Sequence, residues 1–113
     1  MHELAIARSI LDIIAEEARA QGFCRVTKIR LAIGALATVE PDALTFGFEA
    51  VSRGTEADGA ALDIERPPGR GRCARCGERW ALRERGEACP ACGGYRVLVT
   101  GGDELRVIDL EVE

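Results

Sequence analysis

Two CxxC knuckles, Cys73-Ala74-Arg75-Cys76 and Cys89-Pro90-Ala91-Cys92, stand twelve residues apart and constrain this chain more than any other feature. Each knuckle can aim two thiolates at one ion. Four sulfur ligands in a tetrahedron suit Zn²⁺ and leave no open position for water or substrate. Cys73, Cys76, Cys89 and Cys92 are therefore expected to close a structural zinc site that organises a small module. Disulfides are the lesser alternative. The opening Met1-His2-Glu3 lacks the basic start of a signal peptide, and no apolar run approaches the roughly eighteen residues of a membrane span. A cytoplasmic chain with no membrane partner is expected, in a compartment where thiols stay reduced and available for metal.

Hydrophobic periodicity organises the rest. Leu4, Ala7, Leu11, Ile14 and Ala18 recur at helical spacing, with Gly22 as the stop. Over residues 25–34, Thr27, Ile29, Leu31 and Ile33 alternate with Lys28, Arg30 and Ala32, the period of a half-buried strand ending at Gly34. Pro41 suits the first turn of a second helix that buries Leu44, Phe48 and Val51 and runs to Gly54, weakened by Gly47. Leu62 and Ile64 mark a short strand, and Pro67-Pro68-Gly69 breaks the pattern. After the cysteines come Val97-Leu98-Val99, a Gly101-Gly102 turn, and a strand carrying Ile108, Leu110 and Val112 that rejoins the first. The expected fold is a small α/β or α+β domain, a mixed three-stranded sheet with two helices, plus an inserted four-cysteine zinc-ribbon-like module. Residues 1–66 and 97–113 form the base and residues 67–96 the zinc-binding domain. The strands flanking the second helix are expected to run parallel.

What is missing narrows the chemistry. The lone histidine is His2, the serines are Ser9 and Ser52, and neither serine stands in a nucleophile elbow. The single lysine, Lys28, follows no glycine loop, so there is no P-loop and no dinucleotide fingerprint. No catalytic constellation emerges, and an enzyme is not expected. A net charge of −4 argues against nucleic acid as the main partner.

His2 beside the amino terminus offers another kind of site. The Met1 amine, the deprotonated His2 backbone nitrogen and the His2 ring can close fused chelate rings suited to Ni²⁺ or Cu²⁺, with the Glu3 carboxylate near. Position alone would equally permit a plain polar residue at a frayed terminus.

Taken together, Met1-His2-Glu3-Leu4 opening a helix, Gly34 near a strand end, Val39-Glu40-Pro41 leading into Leu44-Thr45-Phe46-Gly47-Phe48-Glu49, the two knuckles, and the terminal run 104–113 resemble the HypA/HybF family of hydrogenase nickel-incorporation (maturation) proteins. The resemblance spans the whole chain. It implies a nickel metallochaperone in which His2 is the principal Ni²⁺ ligand, with Met1 and Glu3 around it, while Cys73, Cys76, Cys89 and Cys92 hold zinc. Glu40 is a weaker nickel candidate, because a residue before Pro41 can equally belong to a helix cap. The implied partners are a HypB-type GTPase and the large subunit of [NiFe]-hydrogenase. Service to urease stays open, as does a homodimer formed by domain swapping.

Two rivals belong to other classes. A zinc-ribbon module that binds nucleic acid or protein would explain Arg70, Arg72, Arg75, Arg79, Arg83, Arg85 and Arg96, which otherwise offset a dianionic four-thiolate centre. A dithiol oxidoreductase would use one reactive motif rather than two facing knuckles. Trp80 is expected to pack within the module, and Cys24 to be a small buried residue.

Overall fold

A computed structural model describes residues 2–113; Met1, expected to lend its amine to nickel, lies outside the described residues. Along the chain come α1 (Glu3–Gln21), β1 (Val26–Ile33), α2 (Pro41–Val51), β2 (Ala61–Glu65), β3 (Arg70–Cys73), β4 (Arg79–Ala81), β5 (Val97–Gly101) and β6 (Leu105–Val112). They divide into two compact units: Met1–Leu31, Thr38–Ile64 and Val107–Glu113 in the first, Ala32–Ala37 and Glu65–Arg106 in the second.

The first unit joins two helices to a mixed sheet of order β2-β1-β6. α1 buries Ala7, Ile10, Ile14 and Ala18, so its core stripe passes through Ile10 rather than the expected Leu11, and Leu4 is left half exposed. The helix stops where Gly22 takes φ 78 and its N–H bonds Ala18 O, a left-handed cap that glycine adopts at little cost. α2 begins at Pro41, whose missing N–H is one no helix start can pair. It ends at Val51, earlier than the expected Gly54: the Ser52 N–H makes the last helical bond, to Phe48 O, and the Thr55 N–H then bonds Ser52 O in a tighter turn. The two helices pack together. At Gly47 they come close: a Cβ there would sit 3.6 Å from Leu4 Cδ1 and 3.9 Å from Leu4 Cα.

β1 alternates as expected at Ile29, Leu31 and Ile33, all buried, while Thr27 is exposed and its hydroxyl donates to Glu111 O. Its bases are met from both sides. Lys28 lies 3.6 Å from Asp63 and from Glu111, and Arg30 reaches Asp109 at 2.7 Å. Exposed pairs of this kind contribute little individually. Opposite charges across neighbouring strands nevertheless favour this register over a slipped one. Asp63, Asp109 and Glu111 thus serve the bases of one strand.

The second unit holds an antiparallel sheet of order β4-β3-β5, in which Arg70 opposes Ala81 and Gly101, and Arg72 opposes Arg79 and Leu98. Its root is backbone against backbone. A Cβ on Gly34 would fall 2.0 Å from Gly102 O, one on Gly102 2.4 Å from Gly69 Cα, and one on Gly69 2.2 Å from Leu82 O. Only glycine fits such approaches. Hydrogen bonds bind the crossing: Leu36 N–H to Gly102 O, Gly34 N–H to Glu104 O, and the Arg66 guanidinium to Ile33 O and Gly34 O. Gly101-Gly102 is therefore no hairpin turn, since β5 and β6 belong to different sheets. Trp80 is half buried, with its indole N–H donating to Glu87 Oε1. Cys24 is exposed, contrary to expectation, because it lies in the short connection, residues 22–25, between α1 and β1.

Candidate metal centre

The two knuckles repeat one local structure. In the first, the Cys73 N–H donates to Glu78 O and the Gly77 N–H to Cys73 O; in the second, the Cys89 N–H donates to Gly94 O and the Gly93 N–H to Cys89 O, all at 2.8–2.9 Å. Gly77 and Gly93 take φ 83 and 74, the left-handed region in which a side chain is strained. The leading cysteines, Cys73 and Cys89, are buried, and the trailing ones, Cys76 and Cys92, exposed. Both glycines immediately follow a CxxC. That repeated CxxCG is readable from the chain, although the spacing of the cysteines alone already suggests the site.

All four thiol sulfurs lie within 4.8 Å of one another, with Cys73 Sγ 3.7 Å from Cys92 Sγ and Cys76 Sγ 3.6 Å from Cys89 Sγ. A tetrahedral ion with metal–sulfur bonds of about 2.3 Å separates its sulfurs by about 3.8 Å. The cluster fits such an ion, and its contacts pair the buried sulfur of one knuckle with the exposed sulfur of the other. No two sulfurs are at the bonding distance of a disulfide, and all five cysteines are free.

Electrostatics point the same way. The Cys76 N–H and the Arg75 N–H, each 3.4 Å from Cys73 Sγ, hold the Cys73 thiol down at about 6 against the opposing effect of burial. At Cys76 the Glu78 N–H also favours the thiolate, but burial and the neighbouring Cys89, Cys73 and Cys92 sulfurs prevail and push it up to about 12. Four thiolates cannot share so small a volume without a cation.

At the start of the chain, the structure brings Glu3 and Glu40 together. Glu3 Oε2 accepts the Glu40 N–H at 3.1 Å, which holds the Glu3 carboxyl below the usual carboxylate range. Glu40 Oε1 accepts the Asp42 N–H at 3.3 Å and so caps α2. His2 is exposed at the start of α1 and makes no side-chain cap. A shallow depression beside it is lined by Leu4, Ala5 and Arg8. Among the described residues, the four cysteines are the one group of three or more potential ligands whose donor atoms already converge; His2, Glu3 and Glu40 do not.

Residues 1–112 match a family model described as "Hydrogenase/urease nickel incorporation, metallochaperone, hypA". The chain is 55% identical to the hydrogenase maturation factor HypA of Alkalilimnicola ehrlichii and 53% identical to that of Azotobacter chroococcum, over 113 residues and the full length of each pair. It also superposes on the solution structure of the Ni metallochaperone HypA from Helicobacter pylori with a TM-score of 0.71, at 22% identity, covering 99% of this chain and 97% of that one.

Proposed function

The chain belongs to the HypA family of hydrogenase/urease nickel-incorporation metallochaperones, and from that premise we propose that it carries Ni²⁺ at its amino terminus and helps insert it into the large subunit of [NiFe]-hydrogenase. The nickel ligands in this reading are the His2 imidazole and backbone nitrogen, the Met1 amine and the Glu3 carboxylate. The observation that carries it is the exposed His2 next to Glu3, with Glu3 held against the Glu40 N–H. An exposed histidine at a helix start can load and unload an ion without opening a core. Glu40 then acts chiefly as a positioning residue, since its Oε1 caps α2. It remains the weaker candidate ligand.

Cys73, Cys76, Cys89 and Cys92 hold Zn²⁺ in this reading, and the ion supplies a cross-link between the two knuckles, with no position left for chemistry. The chain acts in the cytoplasm as a carrier rather than a catalyst, and a HypB-type GTPase supplies any nucleotide-driven release. Separation of the duties between an α/β base and a cysteine module follows from the same reading.

The test compares nickel binding by the native chain, by His2→Ala and by a chain extended at its amino terminus. The native chain is expected to bind one Ni²⁺ beyond its zinc, and both variants to lose that affinity. Equal stoichiometry and affinity in all three would overturn the assignment.

A further inference from the structure

The second unit carries nine arginines against six acids, a formal +3, whereas the first carries six bases against thirteen acids, a formal −7. The positive charge is not spread evenly. Arg70 and Arg72 stand on one face of β3, alternating with the buried Gly71 and Cys73, and Arg79 lies directly across from Arg72 on β4. Like charges directly opposed on neighbouring strands are destabilising. None of the three guanidinium groups has a carboxylate within 4.0 Å among the described residues, whereas Arg83 of the same unit pairs with Glu87 at 3.7 Å.

The four thiolates do not account for this arrangement. Period-two alternation turns Arg70 and Arg72 away from the face that carries Cys73. Arg75, by contrast, lies beside one of the sulfurs: a Cβ on Gly94 would lie 3.3 Å from Cys92 Sγ and 3.8 Å from Arg75 Cδ. On the other flank of β3, Leu98 opposes Arg72 and is 47% exposed. A depression of about 240 Å³ between the strands is lined by Arg70, Arg79, Ala81 and Thr100, with Gly71 and Trp80. Cations, a hydroxyl and an apolar side chain thus share one small surface.

We propose that this face, Arg70, Arg72 and Arg79 with Leu98 beside them, binds an acidic extended segment of a partner protein, one that alternates carboxylates with apolar side chains. Charge complementarity is the basis. A nucleic acid fits less well, because a long polyanion would meet a chain of net charge −4 whose other unit is strongly acidic. A short peptide needs only the local field, which reaches about 8 Å at physiological salt.

The test uses the full, zinc-loaded chain and a fluorescein-labelled peptide of about eight residues alternating glutamate and leucine, an extended ligand able to follow a strand. The peptide is expected to bind, to weaken as salt rises, and to bind about tenfold less well to the triple variant R70Q/R72Q/R79Q, the sum of three exposed ion pairs. Binding to R83Q/R85Q is expected to match the native chain, and a glutamine–leucine peptide to bind far more weakly. The triple variant should keep its zinc and melt no lower than the native chain, because it relieves a like-charge pair. Zinc loss or a lower melting temperature in that variant would instead assign the arginines to the metal centre. Absent peptide binding, binding undiminished in the triple variant, displacement of the peptide by an equally charged oligouridine, or arginine-dependent self-association without peptide binding would each overturn the proposal.

Discussion

The Glu3 carboxylate accepts the backbone N–H of Glu40 at 3.1 Å, and so ties the first turn of α1 to the residue that caps α2. That N–H is the main reason the Glu3 carboxyl titrates below its ordinary range. An acid lowered in the native state contributes stability that is complete above its unfolded value, about 4.3, and is lost as pH falls through the lower native value. In a carbon-detected titration, Glu3 is expected to show a midpoint below that of a free glutamate, with Glu40 amide exchange accelerating over the same range. Glu3→Gln should abolish the acid-side acceleration. A Glu3 midpoint at or above the free value would contradict this contact.

Gly47 lies where α2 meets Leu4, yet the space there admits a methyl group, since its Cβ would be 3.6 Å from the nearest atom, an ordinary contact. Gly47→Ala is expected to stabilise the chain by about 0.5–1 kcal/mol, the helix penalty of glycine. Gly47→Leu has no such room and should destabilise by about 1–3 kcal/mol. Thermal melts of the two variants that shift in the same direction would rule out this approach of the two helices.

Gly77 and Gly93 have nothing within 4 Å of where a Cβ would stand, so their need for glycine is one of backbone angle alone. Alanine at either site is expected to cost about 1–2 kcal/mol and to weaken zinc by about tenfold, to a similar extent at the two sites because the knuckles share their hydrogen bonds. Chelation should melt the β4-β3-β5 sheet, and reloading should release protons, since without the ion Cys76 holds its proton up to about 12. Zinc uptake by the native chain with no proton release at neutral pH would show that the thiols are already ionised before the metal arrives.

Two glycines with different reasons for being glycine give a sharper contrast. Gly22 has φ 78 and open space around it, so Gly22→Ala is expected to cost about 1 kcal/mol. Gly34 has no unusual φ, but a Cβ would lie 2.0 Å from Gly102 O, and Gly34→Ala should cost about 3 kcal/mol or more. Urea denaturation that ranks the pair the other way would be incompatible with so close a backbone crossing.

The first unit was legible because its elements are long enough to show a period. Nineteen residues of α1 and eight of β1 each carry several turns or alternations, and Pro41 and Gly22 mark ends by local chemistry. β3 and β4 were not legible. Arg70-Gly71-Arg72-Cys73 and Arg79-Trp80-Ala81 have four and three residues, polar side chains and no apolar alternation, and they are ordered by pairing and by the knuckles between them. The role of Gly34, Gly69 and Gly102 was hidden for a different reason. Their spacing along the chain is 35 and 33 residues, and no local pattern records a backbone contact over that distance. At the candidate sites, the four cysteines were evident from spacing, whereas the bond between Glu3 and Glu40 depends on two helices meeting.

The pairing of β6 with β1 also imposes an order in time on biosynthesis. Residues 26–33 leave the ribosome early, both cysteine knuckles follow, and only then does the strand 105–112 emerge to complete the first sheet. At about 5–20 residues per second, a nascent chain spends an interval with both metal-binding turns translated while β1 still lacks its neighbour on one side. The cysteine turns can therefore capture an ion before the first unit is finished. Nascent chains arrested with residue 104 as the last outside the exit tunnel should retain zinc while those β1 amides that bond β6 in the finished sheet exchange freely.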